Sequence, residues 1–132
     1  REVMNRMYKN HIRGLSGNDD CGQMSAWYLF TAMGFYPVCP GTDQYVLGAP
    51  YLPYLKMSLP NGKTFEIKAP GVSDKKRYVK SVRLNGKPYT KMYITHKDIT
   101  EGGVMEFVMS ASPNKSRGQA KADKPYSLTE GK

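Results

Sequence analysis

The pattern of apolar residues changes near residue 37, and this change restricts the chain to a mixed architecture. Before it, Val3, Met4, Met7, Tyr8 and Ile12 lie mostly three or four positions apart, which is the spacing of one apolar helix face. After it, apolar and polar residues alternate in short runs separated by Pro, Asn and Gly, as in strands joined by tight turns. We therefore expect an α+β fold, with helices in residues 1–36 and strands afterwards.

A second helix is predicted to begin at Cys21 or Gly22 and to end at Met33, where Gly34 supplies a C-terminal stop. Its sequence, MSAWYLFTAM, is apolar nearly all round. A helix of this kind is buried on several sides. Because the sequence before residue 37 offers one other helix to cover it, we expect further helices from outside this sequence to surround it.

The strand region extends over residues 37–112. LKMSLPNGKTFEIKA predicts a hairpin with its turn at 60–62, and VKSVRLNGKPYTKMYI predicts a second hairpin with an Asn-Gly turn at 85–86. Several strands joined by tight turns indicate a small antiparallel β-sandwich-like subdomain. Residues 113–132 are polar and basic with few aliphatic side chains, and this composition is typical of an extended or disordered tail.

Composition restricts the class of protein. The chain has 132 residues, 39% of them hydrophobic, which is enough for one domain core or part of a larger one. The net charge is +9, but the lysines are spread along the chain and no nucleic-acid-binding motif accompanies them, so we do not expect a nucleic-acid partner. No run of about 18 apolar residues is present, so no membrane span is predicted.

The two cysteines, Cys21 and Cys39, form no C-x-x-C motif. One pair does not make a disulfide scaffold, and we expect two small buried thiols. The sequence leaves a disulfide between them open.

The stretch GNDDCGQMSAW places two adjacent acids, Asp19 and Asp20, at the entry of the second helix. An acid there is favoured by helix capping and by the helix dipole, and capping is the simpler interpretation. Capping explains one Asp well but two adjacent acids less well, and it leaves the amides of Asn18 and Gln23 unexplained. Together these four side chains could supply oxygen ligands to a hard cation such as calcium, or hydrogen bonds to sugar hydroxyls.

The segment GLSGNDDCGQMSAWYLFTAMGFYPVCPGTDQYVLGAP, residues 14–50, resembles the signature near the C-terminus of glycoside hydrolase family 92, the calcium-dependent exo-α-mannosidases. LNGKPYTKMYITHKDITEGGVMEFVMSASPN is similar to the closing strands of that family, and the resemblance covers roughly residues 1–118. It implies that residues 1–36 are the last helices of a catalytic (α/α)6 barrel, truncated here, followed by the β-subdomain.

The resemblance also implies roles for the acidic residues. Enzymes of this family invert the anomeric carbon with a general acid and a general base, and the position that matches the base is Asp20. Asn18 stands where some members carry a second acid, and would orient a water or a ligand. Asp19 would be a structural cap or, with Gln23, a substrate-binding residue. Calcium would bind in the sugar subsite, with Asp20 as a ligand directly or through water, and the general acid would be a Glu from an upstream segment.

As implied by this resemblance, the chain would be the C-terminal part of an inverting exo-α-mannosidase that hydrolyses terminal α-mannosyl linkages, α-1,2 in particular, in mannose-containing glycans. It would need the upstream domains of the same protein and would be inactive alone. The protein would reside in the periplasm or outside the cell. The chain would self-associate when separated from the upstream domains. The alternative is a non-catalytic carbohydrate-binding or scaffolding β-module in which Asp19 and Asp20 only cap the helix.

Overall fold

The computed structural model describes residues 1–129 and has the predicted α+β architecture. Three helices are present: α1 (Glu2–Met7), α2 (Gln23–Met33) and α3 (His96–Thr100). The eight strands are β1 (Phe35–Tyr36), β2 (Gln44–Leu47), β3 (Tyr54–Ser58), β4 (Thr64–Lys68), β5 (Tyr78–Leu84), β6 (Lys87–Pro88), β7 (Tyr93–Thr95) and β8 (Gly103–Ser110). No helix of the described residues is long and apolar enough to cross a membrane.

Helix α2 ends where the sequence predicts, whereas α1 is shorter than predicted. Gly34 adopts the left-handed conformation (φ 92°), and its N–H donates to the carbonyls of Phe30 and Thr31, as in a glycine C-cap. Helix α1 stops at Met7 because Tyr8 is extended (φ −116°, ψ 135°). The prediction that one helix continues to Ile12 is therefore wrong.

The Tyr8 side chain accounts for the early end of α1. Its ring stacks on Trp27, with centroids 5.6 Å apart, and its hydroxyl donates a 3.1 Å hydrogen bond to the carbonyl of Met24. If the helix continued, the Tyr8 side chain would lie on the same helix face as Met4, one turn further along. The extended backbone at Tyr8 instead directs this side chain at α2. The contact with α2 therefore outweighs the local preference of the sequence for helix.

The strands form two sheets, one of three strands in the order β1-β2-β7 and one of five in the order β3-β4-β8-β5-β6. Both predicted hairpins are present, as β3–β4 and β5–β6. The turn between β5 and β6 has positive φ at Asn85 (51°) and Gly86 (77°), the requirement of a type I′ turn. The sandwich-like arrangement is antiparallel with one exception, because β4 and β8 run parallel.

One hydrophobic core joins the two sheets and α3. Phe65, Ile67, Met105 and Phe107 of the five-stranded sheet are at most 1% exposed, as is Ile94 of the other sheet. Phe35 and Leu47 pair across β1 and β2 and belong to the same core cluster. The helical segment 1–36 therefore reaches into the core of the β-subdomain through Phe35, with Phe30 and Met33 packed against that core.

The tail, described here over residues 113–129, follows an irregular path along the β-subdomain with one short 3₁₀ turn at Lys121–Asp123. The Met92 N–H donates to the Asp123 carbonyl at 2.7 Å, and the Thr90 hydroxyl donates to the Asp123 carboxylate at 2.7 Å. The Tyr126 N–H donates to the Gln44 side chain. Over these residues hydrogen bonds join the tail to the β-subdomain. The prediction of an extended or disordered tail stays a prediction, and residues 130–132 lie outside the described part.

Candidate functional site

The acidic elbow consists of Asn18, Asp19, Asp20 and the 3₁₀ turn Asp20–Gly22 that precedes α2. Two consecutive residues of this turn, Cys21 (φ 54°) and Gly22 (φ 73°), are left-handed. A glycine takes this conformation at little cost, whereas a cysteine in it is uncommon and strained. The Gly22 N–H closes the turn by donating to the Asp19 carbonyl at 3.0 Å, so the chain turns sharply between the two acids and the helix.

Asp19 caps α2 from four positions before its first residue. Its Oδ1 accepts hydrogen bonds from the N–H groups of Met24 (2.8 Å) and Ser25 (3.0 Å), and its Oδ2 accepts one from the Ser25 hydroxyl (2.6 Å). Gly22 occupies the formal N-cap position but has no side chain to do this. Asp19 therefore satisfies helix N–H groups that would otherwise lack an intrahelical partner.

The same hydrogen bonds lower the pKa of the Asp19 carboxyl below its usual value. The Ser25 hydroxyl contributes most, the Ser25 and Met24 N–H groups add to it, and partial desolvation opposes it. Hydrogen bonds to the charged form favour ionisation. Both carboxylate oxygens serve the helix start, which fits the capping role of Asp19. A substrate-binding role for Asp19 stays a prediction.

Asp20 is in a different situation from its neighbour. Its side chain is exposed, and within residues 1–129 its carboxylate accepts no hydrogen bond and forms no ion pair. Its backbone carbonyl accepts from the Gln23 N–H, which fixes the main chain while leaving the carboxylate oxygens without a partner among these residues. The left-handed turn thus separates two adjacent acids, one that caps the helix and one whose carboxylate has no partner among residues 1–129.

Asn18 and Gln23 are also exposed. Gln23 lines a shallow cleft of about 240 Å³ together with Tyr8, Met24 and Trp27, and neither Asn18 nor Asp20 lines it. The structure therefore brings Asn18, Asp19 and Asp20 together on one loop, and Gln23 onto the adjoining helix face, without enclosing Asp20 in a pocket formed by the described residues.

Ser25 and Tyr8 contribute to this region without having been singled out as site residues from the sequence. Ser25 is the partner of Asp19, six positions away, a separation that no standard capping spacing suggests. Tyr8 packs on α2 through Trp27 and Tyr28. One indication of this contact was present in the sequence, because Tyr8 lies on the apolar stripe of the first helix. That stripe predicted helix packing but did not predict a contact next to the elbow.

The described residues do not provide a complete calcium site. No group of three or more His, Cys, Asp and Glu side chains comes together within residues 1–129. Calcium takes six to eight oxygen ligands, and the elbow offers one carboxylate that is free of other partners, that of Asp20. The fit is therefore incomplete, and a calcium role for Asp20 stays a prediction.

The prediction of two buried thiols is wrong. Cys21 is exposed, because the left-handed turn directs it out of the elbow, and Cys39 is only half-buried in the loop after β1. Both are free thiols. A small apolar side chain at a turn ahead of a helix need not enter the core.

Comparison with known proteins places the chain in a family. The sequence model of the glycosyl hydrolase family 92 catalytic domain matches residues 1–111, which is most of the chain. The chain therefore belongs to glycosyl hydrolase family 92, as its resemblance implied.

Relatives agree with this placement. An uncharacterized secreted glycosidase of the fungus Arthroderma benhamiae is 32% identical over 127 residues, which are 94% of this chain and 16% of that protein. The solved structure of a family 92 inverting mannosidase from Bacteroides thetaiotaomicron is 41% identical with a TM-score of 0.88, over 97% of this chain and 17% of that one. An α-mannosidase of the same organism and family, solved in complex with mannoimidazole, is 44% identical with a TM-score of 0.90, over 96% and 17%.

The chain spans about one sixth of the length of these relatives. Most of the length of these relatives therefore has no counterpart in this chain.

Proposed function

We propose that this chain is the C-terminal part of an inverting exo-α-mannosidase, which hydrolyses terminal α-mannosyl linkages of glycans, α-1,2 linkages in particular. Membership of glycosyl hydrolase family 92 supports this proposal. So do two similar structures, one named as an inverting mannosidase and the other as an α-mannosidase bound to mannoimidazole. A secreted glycosidase among the relatives supports a periplasmic or extracellular location.

In this proposal Asp20 is the general base. An inverting glycosidase activates a water on one face of the sugar with a carboxylate, while a carboxylic acid protonates the leaving oxygen on the other face; the two groups are about 6.5–9.5 Å apart. The observation that carries the assignment is the contrast between the adjacent acids. Asp19 is fully used as a helix cap, whereas the Asp20 carboxylate is exposed and free of partners among residues 1–129.

The rigid elbow gives Asp20 the fixed position that a general base needs. A base must lie within hydrogen-bond distance of the proton it removes. The cap at Asp19 and the closed turn to Gly22 hold the main chain on either side of Asp20. The side chain can then present its oxygens to a water without losing an interaction that stabilises the fold.

The remaining parts of the reaction come from elsewhere in the longer polypeptide. The general acid is expected to be a Glu of an upstream segment, and Asn18, exposed two residues before Asp20, would orient the water or a ligand. Calcium remains part of the proposal by family resemblance only, with Asp20 as one ligand and the others from outside this chain. We accordingly expect the isolated chain to be inactive toward mannosides.

The alternative is a non-catalytic carbohydrate-binding or scaffolding β-module in which both acids cap the helix. The hydrogen bonds favour this role for Asp19 but not for Asp20, whose carboxylate makes no bond to the helix start. The two helices also expose apolar side chains, such as Val3, Met7 and Leu29. Such a surface is typical of an interface with further protein and is unusual for a self-contained soluble domain.

The test replaces each acid in turn in the longer polypeptide that carries this chain. Asp20→Asn keeps the size of the side chain but cannot accept the proton, so mannose release should fall by roughly 10²–10⁴-fold with the melting temperature unchanged. Asp19→Asn is the matched control, and it should lower the melting temperature more than Asp20→Asn does. Near-normal turnover by Asp20→Asn would exclude Asp20 as the base and favour the module. Mannoside hydrolysis by the isolated chain would contradict its expected inactivity.

A further inference from the structure

A second groove, with a mostly apolar lining and a few charged and polar side chains, lies away from the elbow, between the start of β5 and the start of the tail. It has a volume of about 240 Å³. One wall carries Arg77 and Tyr78, and the tail contributes Asn114 and Arg117. The remaining lining residues include Leu47, Gly48, Ala49 and Met92. None of the elbow residues lines this groove, so its chemistry is independent of the proposed hydrolysis.

Arg117 carries a positive charge that the described residues leave largely uncompensated. Its Nη2 donates to the Lys91 carbonyl at 2.8 Å and its Nη1 contacts the Met92 sulfur at 2.9 Å, while the buried Nε has no hydrogen-bond partner. Within residues 1–129 no carboxylate forms an ion pair with it. A half-buried charge without a counter-ion is costly, so a ligand that neutralises it would be favoured.

Desolvation shifts the pKa of Arg117 downward, and attraction by Asp123 only partly opposes this effect. An arginine remains protonated at neutral pH even so. Asp123 does not neutralise the guanidinium by direct contact, because the two groups do not come within ion-pair distance. The Asp123 carboxylate accepts a hydrogen bond from Thr90. The Arg117 guanidinium is therefore always charged, and its Nε–H donor has no hydrogen-bond partner among the described residues.

The surroundings of the groove add more positive charge. Arg77, which also lines the groove, is exposed, with its guanidinium 5.7 Å from the Tyr78 ring centroid. Lys75, Lys76 and Lys80 are exposed on the same loop and strand. The one acid nearby in sequence, Asp74, is paired with Arg1 at 3.3 Å. Clustered charge of one sign raises the local concentration of oppositely charged ligands.

The tail is attached at this place by a specific contact. The Asn114 amide donates to the Lys80 carbonyl at 2.8 Å, and its oxygen accepts from the Ser116 N–H and hydroxyl. These bonds fix the tail against β5 just before Arg117. The groove is therefore formed by two segments that are hydrogen-bonded to each other and not by side chains that meet by chance.

We propose that this groove binds a small oxyanion, a phosphate or carboxylate group, between Arg77 and Arg117. Arginine presents a planar set of donors that matches both kinds of oxyanion and binds them by charge-assisted hydrogen bonds. The volume is below the range of about 300–1,000 Å³ that encloses drug-sized ligands, which fits a single charged group. Tyr78 would offer its ring to a sugar or other flat substituent that carries that group.

The test titrates the chain with inorganic phosphate, glucuronate and glucose, and follows binding by two-dimensional NMR. Saturable shifts of the Asn114 and Tyr78 signals with phosphate or glucuronate, and none with glucose, are expected. Tighter binding of phosphate would identify a phosphate ligand, and tighter binding of glucuronate would identify a carboxylate. The absence of saturable shifts with both anions would overturn the proposal.

Two variants localise the binding. Arg77→Gln removes an exposed charge and should weaken binding about tenfold or more, as expected for a charge-assisted contact. Arg83→Gln is the matched control, because Arg83 is exposed on β5, the strand that Arg77 directly precedes, but does not line the groove. It should change affinity less than twofold. Equal losses in the two variants would show diffuse attraction only and overturn the proposal.

Arg117 needs a more conservative replacement, because it also holds the tail. Arg117→Lys keeps the charge but loses the planar set of donors. Weaker binding with an unchanged melting temperature is expected. If affinity and melting temperature both stay unchanged, Arg117 is not part of the site and the proposal fails.

Discussion

The hydroxyl of Ser25 donates a 2.6 Å hydrogen bond to the carboxylate of Asp19, across a turn whose residues Cys21 and Gly22 are both left-handed. This bond and the two from the helix N–H groups use both oxygens of Asp19. The next residue, Asp20, makes no such contact within the described residues. These hydrogen bonds therefore commit one acid of the pair to the helix start and leave the other without a partner among residues 1–129.

Replacing Ser25 with Ala removes the hydroxyl that contributes most to the Asp19 interaction while leaving the N–H bonds in place. We expect the melting temperature of the chain to fall by about 2–6 °C, as for loss of part of a helix cap. Ser16→Ala, at an exposed position of the preceding loop, is the control and should change little. Calorimetry checks both, and equal effects of the two variants would show that the cap adds nothing.

The pH dependence of the Asp19 cap has a definite sign. Folding lowers the pKa of this carboxyl below its ordinary value of 3.8, so the unfolded state binds its proton more readily than the folded state does. The stabilisation is then fully present above pH 3.8 and is lost as the pH falls through the lower folded-state pKa. The melting temperature of the unmodified chain should exceed that of Asp19→Asn at pH 6, with the difference shrinking below pH 3.8.

Melting curves of both proteins between pH 2 and pH 7 measure this difference. Any global acid destabilisation affects both and cancels in the comparison. A gap between the two proteins that stays constant down to pH 2 would mean that the charge of Asp19 does not matter for the cap.

Features that depend on neighbouring residues could be predicted from the sequence. Helix α2 with its end at Gly34, and the two hairpins, follow from short-range patterns that carry their own chemistry. The family resemblance likewise depends on one continuous segment around the elbow. These parts of the prediction agree with the structure for that reason.

Features that depend on distant contacts could not be predicted. The early end of α1 follows from the packing of Tyr8 on Trp27, and the parallel pairing of β4 with β8 joins strands that are far apart in sequence. The division of roles between Asp19 and Asp20 requires a left-handed Cys21, which no sequence pattern signals because non-glycine residues rarely adopt it. The exposure of Cys21 follows from the same turn.

The junction between α2 and the strands depends on Gly34, which should be intolerant of substitution. A Cβ at this position would lie 2.9 Å from the Pro50 nitrogen, and φ is 92°. Gly34→Ala should therefore destabilise the chain by about 2–4 kcal/mol, combining the strain of a left-handed alanine with a steric clash.

Gly41→Ala is the control for that substitution, because Gly41 has a similar φ of 84° and open space around its Cβ position. It should cost only about 1–2 kcal/mol from the backbone. Denaturant unfolding of both variants separates the two effects. Equal decreases in the free energy of unfolding of the two variants would show that Pro50 moves aside. The close approach at Gly34 would then contribute nothing to the effect of Gly34→Ala.

The apolar face of α2 should make the isolated chain self-associate. Leu29 is 61% exposed, and Val3 and Met7 of α1 are nearly half exposed. Burying such side chains against a second copy removes apolar surface from water and favours association. Sedimentation velocity should show a sedimentation coefficient that rises with protein concentration. Leu29→Lys should weaken this association about tenfold, since one leucine contributes roughly 1.5–3 kcal/mol when fully buried.

Leu128→Lys is the matched control for the self-association experiment, because Leu128 is 69% exposed but lies in the tail. If this variant weakens association as much as Leu29→Lys does, general hydrophobicity is responsible and not the helix face. A chain that stays monomeric at all concentrations would contradict the prediction outright. Loss of association in Leu29→Lys alone would instead identify α2 as the surface that the upstream part of the polypeptide covers in the proposed whole enzyme.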